Sequence, residues 1–271
     1  MRTLVHLSDL HFGRVDHALL APLTALIERL APDLLVVSGD LTQRARSQEF
    51  IAARAFLDSL PVPRVVVPGN HDISLHNLFD RFLRPLNKYR RYITDDLQPF
   101  FADDKIAVAG INTARSLTIK DGRINEDQMA HVSARFAGVP AGVIKIIVTH
   151  HPFDLPDHFR RGDLVGRAET ALATFAGSGA DLLLAGHLHA SHVGTTDAHY
   201  PIDGFAALVV QAGTATSTRG RGEANSFNVI RVATTEIITE RYAWEPGNNS
   251  FELAGSQQFV RSGERWVLYG D

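Results

Sequence analysis

Seven short runs, each almost wholly apolar, recur along this chain: Thr3 to Leu7, Leu34 to Ser38, Arg64 to Val67, Ile106 to Ile111, Val143 to Thr149, Leu182 to Ala185 and Ala206 to Gln211. A run with no polar alternation has no side to give to solvent, which is how strands covered on both faces read in a layered α/β fold. Amphipathic stretches lie between the runs. Leu19, Leu20, Leu23, Leu26, Ile27 and Leu30 repeat at helical spacing, with Pro22 marking the start or a kink. Ser47 to Leu60 and Ala168 to Ala176 also read as helices, and Asn125-x-x-Gln128 as a capping box opening a helix to Phe136. The character then changes. Asn228 to Ala233 and Ile237 to Tyr242 predict two strands joined at residues 234–236, and Gln258 to Tyr269 a further short strand or a tail. The expected organisation is one domain over residues 1–271, with a motif core in 1–215 and a β-rich C-terminal edge in 226–271.

The residues able to carry chemistry stand at the ends of these runs. Ser8-Asp9-Leu10-His11, Gly39-Asp40, Gly69-Asn70-His71-Asp72, Thr149-His150-His151-Pro152 and Gly186-His187-Leu188-His189 each come directly after an apolar run. Open α/β sheets place their sites at the C-terminal ends of strands. Taken singly, each motif has a structural explanation: Gly-Asp is also a turn, and a lone histidine is more often packed than ligating. Five in order, all bearing metal-ligand side chains, point to a metal site. Residues i and i+2 of an extended segment face the same way, so Asp9 with His11, and His187 with His189, can share one cleft. The chain has 13 His and no Cys. Disulfides, thiolate zinc sites and cysteine nucleophiles are therefore excluded, and imidazole, carboxylate and amide donors suit Mn, Fe, Co, Ni or Zn. The expected result is a site for two such ions.

With these residues in hand, the chain resembles the calcineurin-like metallophosphoesterase superfamily. Within it, the chain is most similar to bacterial class III cyclic-nucleotide phosphodiesterases and their glycerophosphodiesterase relatives. The motifs that carry the resemblance run from residue 9 to residue 189. The resemblance implies a four-layer α/β/β/α sandwich and two transition-metal ions. It places Asp9, His11 and His189 on one metal and Asn70, His150 and His187 on the other, with Asp40 bridging. It favours His150 over His151, which is left to packing or support. His71 falls where the family keeps a non-ligand histidine near the leaving group, either donating to the departing oxygen or hydrogen-bonding the phosphate. Asp72 either orients His71 or caps a helix. The implied reaction is attack on phosphorus by a metal-activated hydroxide. Gln43 stands where purple acid phosphatases carry a tyrosine, Leu41-Thr-Gln-Arg44 replaces the Asp-Arg-Gly of Ser/Thr protein phosphatases, and His71 replaces the usual Arg of lipid-pathway pyrophosphohydrolases. A small phosphodiester is the substrate class that remains.

Two long polar loops are candidates for the substrate side. Residues 152–166 hold Phe153, His158, Arg160 and Arg161, an aromatic ring to stack on a base and cations to meet a phosphate, or else a solvated surface loop. Residues 214–225 hold Arg219-Gly-Arg221-Gly, which invites the same reading or a flexible turn. His76 and His192 read as structural. A formal net charge of −3 argues against a dedicated nucleic-acid binder. Without a secretory leader or a membrane-length apolar run, a cytoplasmic protein is expected, with homo-oligomers left open. The alternatives to a phosphodiesterase are a phosphomonoesterase or pyrophosphohydrolase using the same site, or a non-catalytic binding module on the same fold.

Overall fold

The computed structural model describes residues 1–74, 78–116, 121–155, 163–219 and 222–270. In chain order the strands are β1 (Arg2–Leu7), β2 (Leu34–Ser38), β3 (Arg64–Val67), β4 (Phe100–Ala102), β5 (Ile106–Gly110), β6 (Ile144–Val148), β7 (Leu182–Ala185), β8 (His192–Thr195), β9 (Leu208–Gln211), β10 (Ser226–Ala233), β11 (Glu236–Glu245), β12 (Ser250–Ser262) and β13 (Arg265–Leu268). The helices are α1 (His17–Leu30), α2 (Ser47–Asp58), α3 (Leu78–Leu83), α4 (Asn87–Tyr92), α5 (Glu126–Ala137) and α6 (Ala168–Gly177). They build two mixed sheets, one of seven strands ordered β13-β12-β11-β10-β1-β2-β3 and one of six ordered β4-β5-β6-β7-β9-β8.

Alternation within the apolar runs assigns the layers. Leu4, Leu34, Val36, Val65 and Val67 meet Ile106, Val108, Ile144, Ile146, Leu182 and Leu184 in a core between the sheets. Their neighbours Val5, Leu7, Leu35 and Val37 turn the other way, onto Leu19, Leu23 and Ile27 of α1 and Phe50, Ala53 and Leu57 of α2. On the far side Ala107, Ala109, Ile147, Leu183 and Val209 pack against Val132 and Phe136 of α5 and Leu172 and Phe175 of α6. The result is the four-layer α/β/β/α arrangement. Neither face of the central strands meets water, which is why the runs carry no polar alternation.

Local signals explain most boundaries. Asn125 and Gln128 bond each other's backbone N–H at 2.8 and 3.0 Å, closing the capping box at the start of α5. In α1 the start is earlier than Pro22 suggests: Asp16 accepts from Ala18 N and begins the helix, leaving Pro22 inside it. The C-terminal segment departs most from expectation. It forms four strands, and β10 pairs antiparallel with β1, so this segment makes up more than half of the first sheet. The 13-residue β12 begins at Ser250, before the predicted Gln258.

Strands β1, β2 and β3 run parallel, as do β5, β6, β7 and β9. The motif loops therefore emerge from the C-terminal ends of both sheets. Among the described residues no helix is long and apolar enough to cross a membrane.

Candidate metal centre

The motif loops are stitched to one another by backbone bonds. Asp9 N donates to Gly39 O (3.1 Å), His11 N to Asp40 O (2.9 Å) and Gly186 N to His150 O (3.0 Å). The fit is close enough that side chains are excluded at two positions. A Cβ on Gly69 would stand 2.1 Å from Asp40 Oδ1, and one on Gly186 would stand 1.8 Å from Ser8 Oγ. Asp9, His11, Asp40, His187 and His189 all have positive φ, between 47° and 71°. This corrects the expectation that the paired ligands share a cleft because they lie in extended strand. They lie just beyond the strands, in left-handed turns that cost a non-glycine residue about 1–3 kcal/mol each and that the surrounding structure must hold in place.

Two groups of donors result. In the first, His11 Nε2 stands 3.5 Å from Asp9 Oδ1, 3.7 Å from Asp40 Oδ2 and 3.2 Å from His189 Nε2, and His189 Nε2 stands 3.2 Å from Asp9 Oδ1. In the second, His150 Nε2 stands 3.0 Å from Asn70 Oδ1, 3.4 Å from Asp40 Oδ1 and 3.3 Å from His187 Nδ1. Asp40 turns one oxygen to each group. Donors held about 2.1 Å from one ion lie about 3.0–3.4 Å apart in octahedral or tetrahedral arrangements, so both groups have the dimensions of a coordination shell.

Further observations fit a cation. Asp9 Oδ2 accepts from Ser8 Oγ (2.7 Å) and His187 N (3.0 Å), while its fully buried Oδ1 accepts no hydrogen bond and faces the two imidazoles. The histidines are held by their other nitrogen: His189 Nδ1 donates to Arg219 O (3.1 Å), His150 Nδ1 to Ser38 O (2.8 Å) and His11 Nδ1 to Thr42 O (3.4 Å). Each keeps Nε2 for a ligand bond. Burial opposes charge at Asp9 and Asp40, yet the histidines beside them hold both carboxyls below the usual carboxylate range. In turn the Asp40 carboxylate overrides the burial of His150 and pushes it up to about 9, and Asp9 raises His189. Burial and the charge of His150 push His187 down to about 3. Without metal, the site draws protons in place of cations.

The two histidines of the doublet point in different directions, although His150, His151 and His187 also stand close enough together to hold an ion among them. His150 meets Asp40 and Asn70, whereas His151 Nδ1 bonds Thr113 Oγ1 at 2.8 Å and its ring packs beside His187. Asp72 does not orient His71. Its carboxylate accepts from Gly69 N (3.0 Å), Leu41 N (3.2 Å), Thr42 N (2.9 Å) and Thr42 Oγ1 (2.9 Å), clamping the loop of Asp40 to the turn of Asn70. His71 instead donates from Nδ1 to Gln43 O (2.8 Å) and accepts at Nε2 from Arg219 Nη1 (3.0 Å). A carbonyl only accepts and a guanidinium only donates, so Nε2 carries no proton and the expected donor role does not fit this arrangement.

On the substrate side, Phe153 is a second correction. Its ring is buried against Phe175 in the core under α6 and has no face for a base, because the apolar Pro152-Phe153 pair continues the interior rather than the loop. His158, Arg160 and Arg161, with His76 and Arg221, lie outside the described residues. His192 lies in β8. Among the described residues, Arg219 of the second polar loop brings a cation to the cluster, its Nη1 standing 3.0 Å from His71 Nε2.

Residues 2–191, most of the chain, match the calcineurin-like phosphoesterase family. The chain belongs to that family. Among curated relatives, a glycerophosphodiester phosphodiesterase of Enterobacter lignolyticus is 34% identical over 126 residues, covering 38% of this chain and 44% of that protein. A 3′,5′-cyclic adenosine monophosphate phosphodiesterase of Escherichia coli is 26% identical over 205 residues, covering 69% of each. The match thus spans less than half the length of the first relative. Of solved structures, a dimetal phosphatase from Danio rerio superposes with a TM-score of 0.65 at 13% identity, covering 88% of this chain and 95% of that one, a likeness of fold alone. The candidate site sits where the C-terminal ends of the two sheets meet, and five strands of the parallel cores, β1, β2, β3, β6 and β7, each lead into one motif.

Proposed function

We propose that this chain is a metal-dependent phosphodiesterase acting on a small diester, a cyclic nucleotide or a similar compound. The observation that carries the reading is the shared carboxylate: Asp40 turns Oδ1 toward His150, which neighbours Asn70 and His187, and Oδ2 toward His11, which neighbours Asp9 and His189. Two donor shells on one bridging side chain suit a pair of divalent ions drawn from Mn, Fe, Co or Zn. Bound there, such ions supply positive charge at the phosphoryl oxygens and a more acidic water.

The chain's own residues do the rest. Asp9 and Asp40 are buried and ionised, so they neutralise only part of the charge of two divalent ions, and the excess favours a phosphate anion. Asn70 and the imidazoles add no charge. Asp9, His11, Asp40, Asn70, His150 and His189 are buried, whereas His71, His187 and Arg219 are partly exposed and mark the mouth. A substrate therefore enters past His71 and Arg219. The resemblance to phosphodiesterases of glycerophosphodiesters and of cyclic AMP supports a diester over a monoester.

The test is a substrate panel for the metal-reconstituted protein: 2′,3′- and 3′,5′-cyclic nucleotides, glycerophosphodiesters, nucleotide sugars and monoesters. Turnover concentrated on one of the first two classes is expected. Preference for monoesters or nucleotide sugars would move the assignment to the corresponding hydrolase, and a protein that takes up metal but turns over nothing would make the fold a binding module.

A further inference from the structure

Among the described residues, the Arg219 side chain has a charge with no counter-charge. Its guanidinium donates to His71 Nε2 at 3.0 Å and reaches Gln43 Oε1 at 3.5 Å, both neutral groups, and among the described residues no carboxylate stands within ion-pair distance. A cation kept partly exposed beside a neutral imidazole contributes little to folding. It does provide a forked donor at the edge of the donor cluster, since the His71 ring lies 5.0 Å from that of His11 and the His71 backbone N–H donates to Asp40 Oδ1.

The backbone that carries Arg219 is fixed rather than loose. Arg219 N donates to Ser217 Oγ (3.1 Å), Thr218 N to Arg14 O (2.9 Å) and Asn225 Nδ2 to Ser217 O (2.9 Å), while Ser217 pairs with Val15 in an antiparallel bridge. On the other side of the residue, Arg219 O accepts from His189. The same residue thus fixes a metal-ligand imidazole with its carbonyl and presents its guanidinium at the mouth.

Resting on the phosphodiesterase reading, we propose that Arg219 is the side chain that binds the substrate phosphate at this corner of the site, and that His71 is its positioning residue. The roles reverse what the motif suggests. His71, its Nδ1–H committed to the Gln43 carbonyl, holds the guanidinium through its Nε2 lone pair, and Arg219 supplies the N–H donors and the positive charge that an anionic oxygen meets.

The probe is inorganic phosphate, titrated calorimetrically into metal-loaded protein, with metal content measured in each variant. Replacing Arg219 by Gln leaves the backbone carbonyl under His189 in place. R219Q is therefore expected to keep its metal while weakening phosphate binding at least ~10-fold, the scale of one charge-assisted contact to an anion. R219K, which keeps the charge but not the fork, should fall between it and the parent, and it serves as the readable variant if R219Q does not fold. H71A should weaken phosphate binding less than R219Q does, adding no further loss to R219Q in the double variant, and H71Q should recover part of it by offering an acceptor. Phosphate affinity in R219Q within twofold of the parent, a larger loss in H71A than in R219Q, or no measurable phosphate binding by the metal-loaded parent would each overturn the proposal. The two readings fail separately. Arg219-dependent phosphate binding without diester turnover removes the phosphodiesterase assignment alone, and turnover with undiminished phosphate binding in R219Q removes the role of Arg219 alone.

Discussion

Asp72 offers the sharpest test of how the fold holds its site, because its carboxylate touches no substrate-facing group. It satisfies the N–H groups of Gly69, Leu41 and Thr42 and the hydroxyl of Thr42, and it is buried. Burial, with the charge of Asp40 adding to it, pushes Asp72 up to about 6, so at pH 8 the group is a carboxylate and all four bonds are charge-assisted. In Asp72→Ala three backbone N–H groups lose their acceptor. At about 1–3 kcal/mol for each buried unsatisfied donor, less what water entering the vacated space restores, the expected loss is about 3–5 kcal/mol, a large share of the total stability of an ordinary domain. Asp72→Asn keeps one oxygen for Thr42 but sets an amide NH₂ against the Gly69 and Leu41 donors, for an expected loss of about 2–4 kcal/mol. Urea unfolding of metal-free protein at pH 8 measures both. Metal titration of the folded fraction should also show weaker uptake, since Asp40 and Asn70 are no longer kept in step. A loss under 1 kcal/mol in Asp72→Ala, with metal affinity unchanged, would refute the clamp.

Asp40→Ala should lower bound metal in both donor groups, measured as equivalents per chain after reconstitution; two tightly held ions in that variant would remove the bridging assignment. Gly186→Ala drives a Cβ into Ser8 Oγ and to within 2.7 Å of Asp9 Oδ2, so both thermal stability and metal uptake should fall, and an unchanged melting temperature would contradict the packing. Burial pushes His6 down to about 3, against the opposing pull of Asp9. Since the unfolded chain takes up that proton near pH 6.5 and the folded chain does not, His6 costs stability as pH falls, about 2 kcal/mol between pH 7 and 5. The difference in unfolding free energy between parent and His6→Gln should shrink by that amount over the interval, and a difference that stays constant with pH would show that His6 is not buried neutral.

The parallel cores were legible because burial on both faces leaves an unbroken apolar run, as in Leu34 to Ser38, and the candidate site because five of the seven runs lead into a metal-ligand type of side chain. Where sequence reading stopped, the cause is long-range geometry. Left-handed φ at Asp9, His11 and His189 follows from loops bonding one another across the cleft, and nothing in Asp-x-His announces it. Strand β12 hides in Glu252 to Gln257 because both of its faces are exposed there, Leu253 and Ala254 included, so no buried face imposes an apolar alternation, and Gly255 interrupts what pattern there is. The partnership of His71 and Arg219 joins residues 148 positions apart, and only a buried ligand's need for a backbone acceptor hints that a later loop must close over His189. Phe153 read as a loop residue because its neighbours Asp154 and His158 are polar, while its own ring belongs to the core.

The pairing of β1 with β10 bears on how the protein is made. Residues 2–6 find their antiparallel partners only at residues 228–232, and Thr214 and Thr216 reach back to the carbonyls of Asp9 and Leu10. At translation rates of roughly 5–20 residues per second, the first motif leaves the ribosome some tens of seconds before the strand that flanks it exists. Through that interval the loop of Asp9 and His11 lacks its bonds to Thr214 and Thr216 and β1 lacks its antiparallel partner, so the complete donor cluster is expected only at the end of synthesis, when the last hairpins close the first sheet. A nascent chain arrested before residue 226 would carry every ligand and still lack the frame that brings them together.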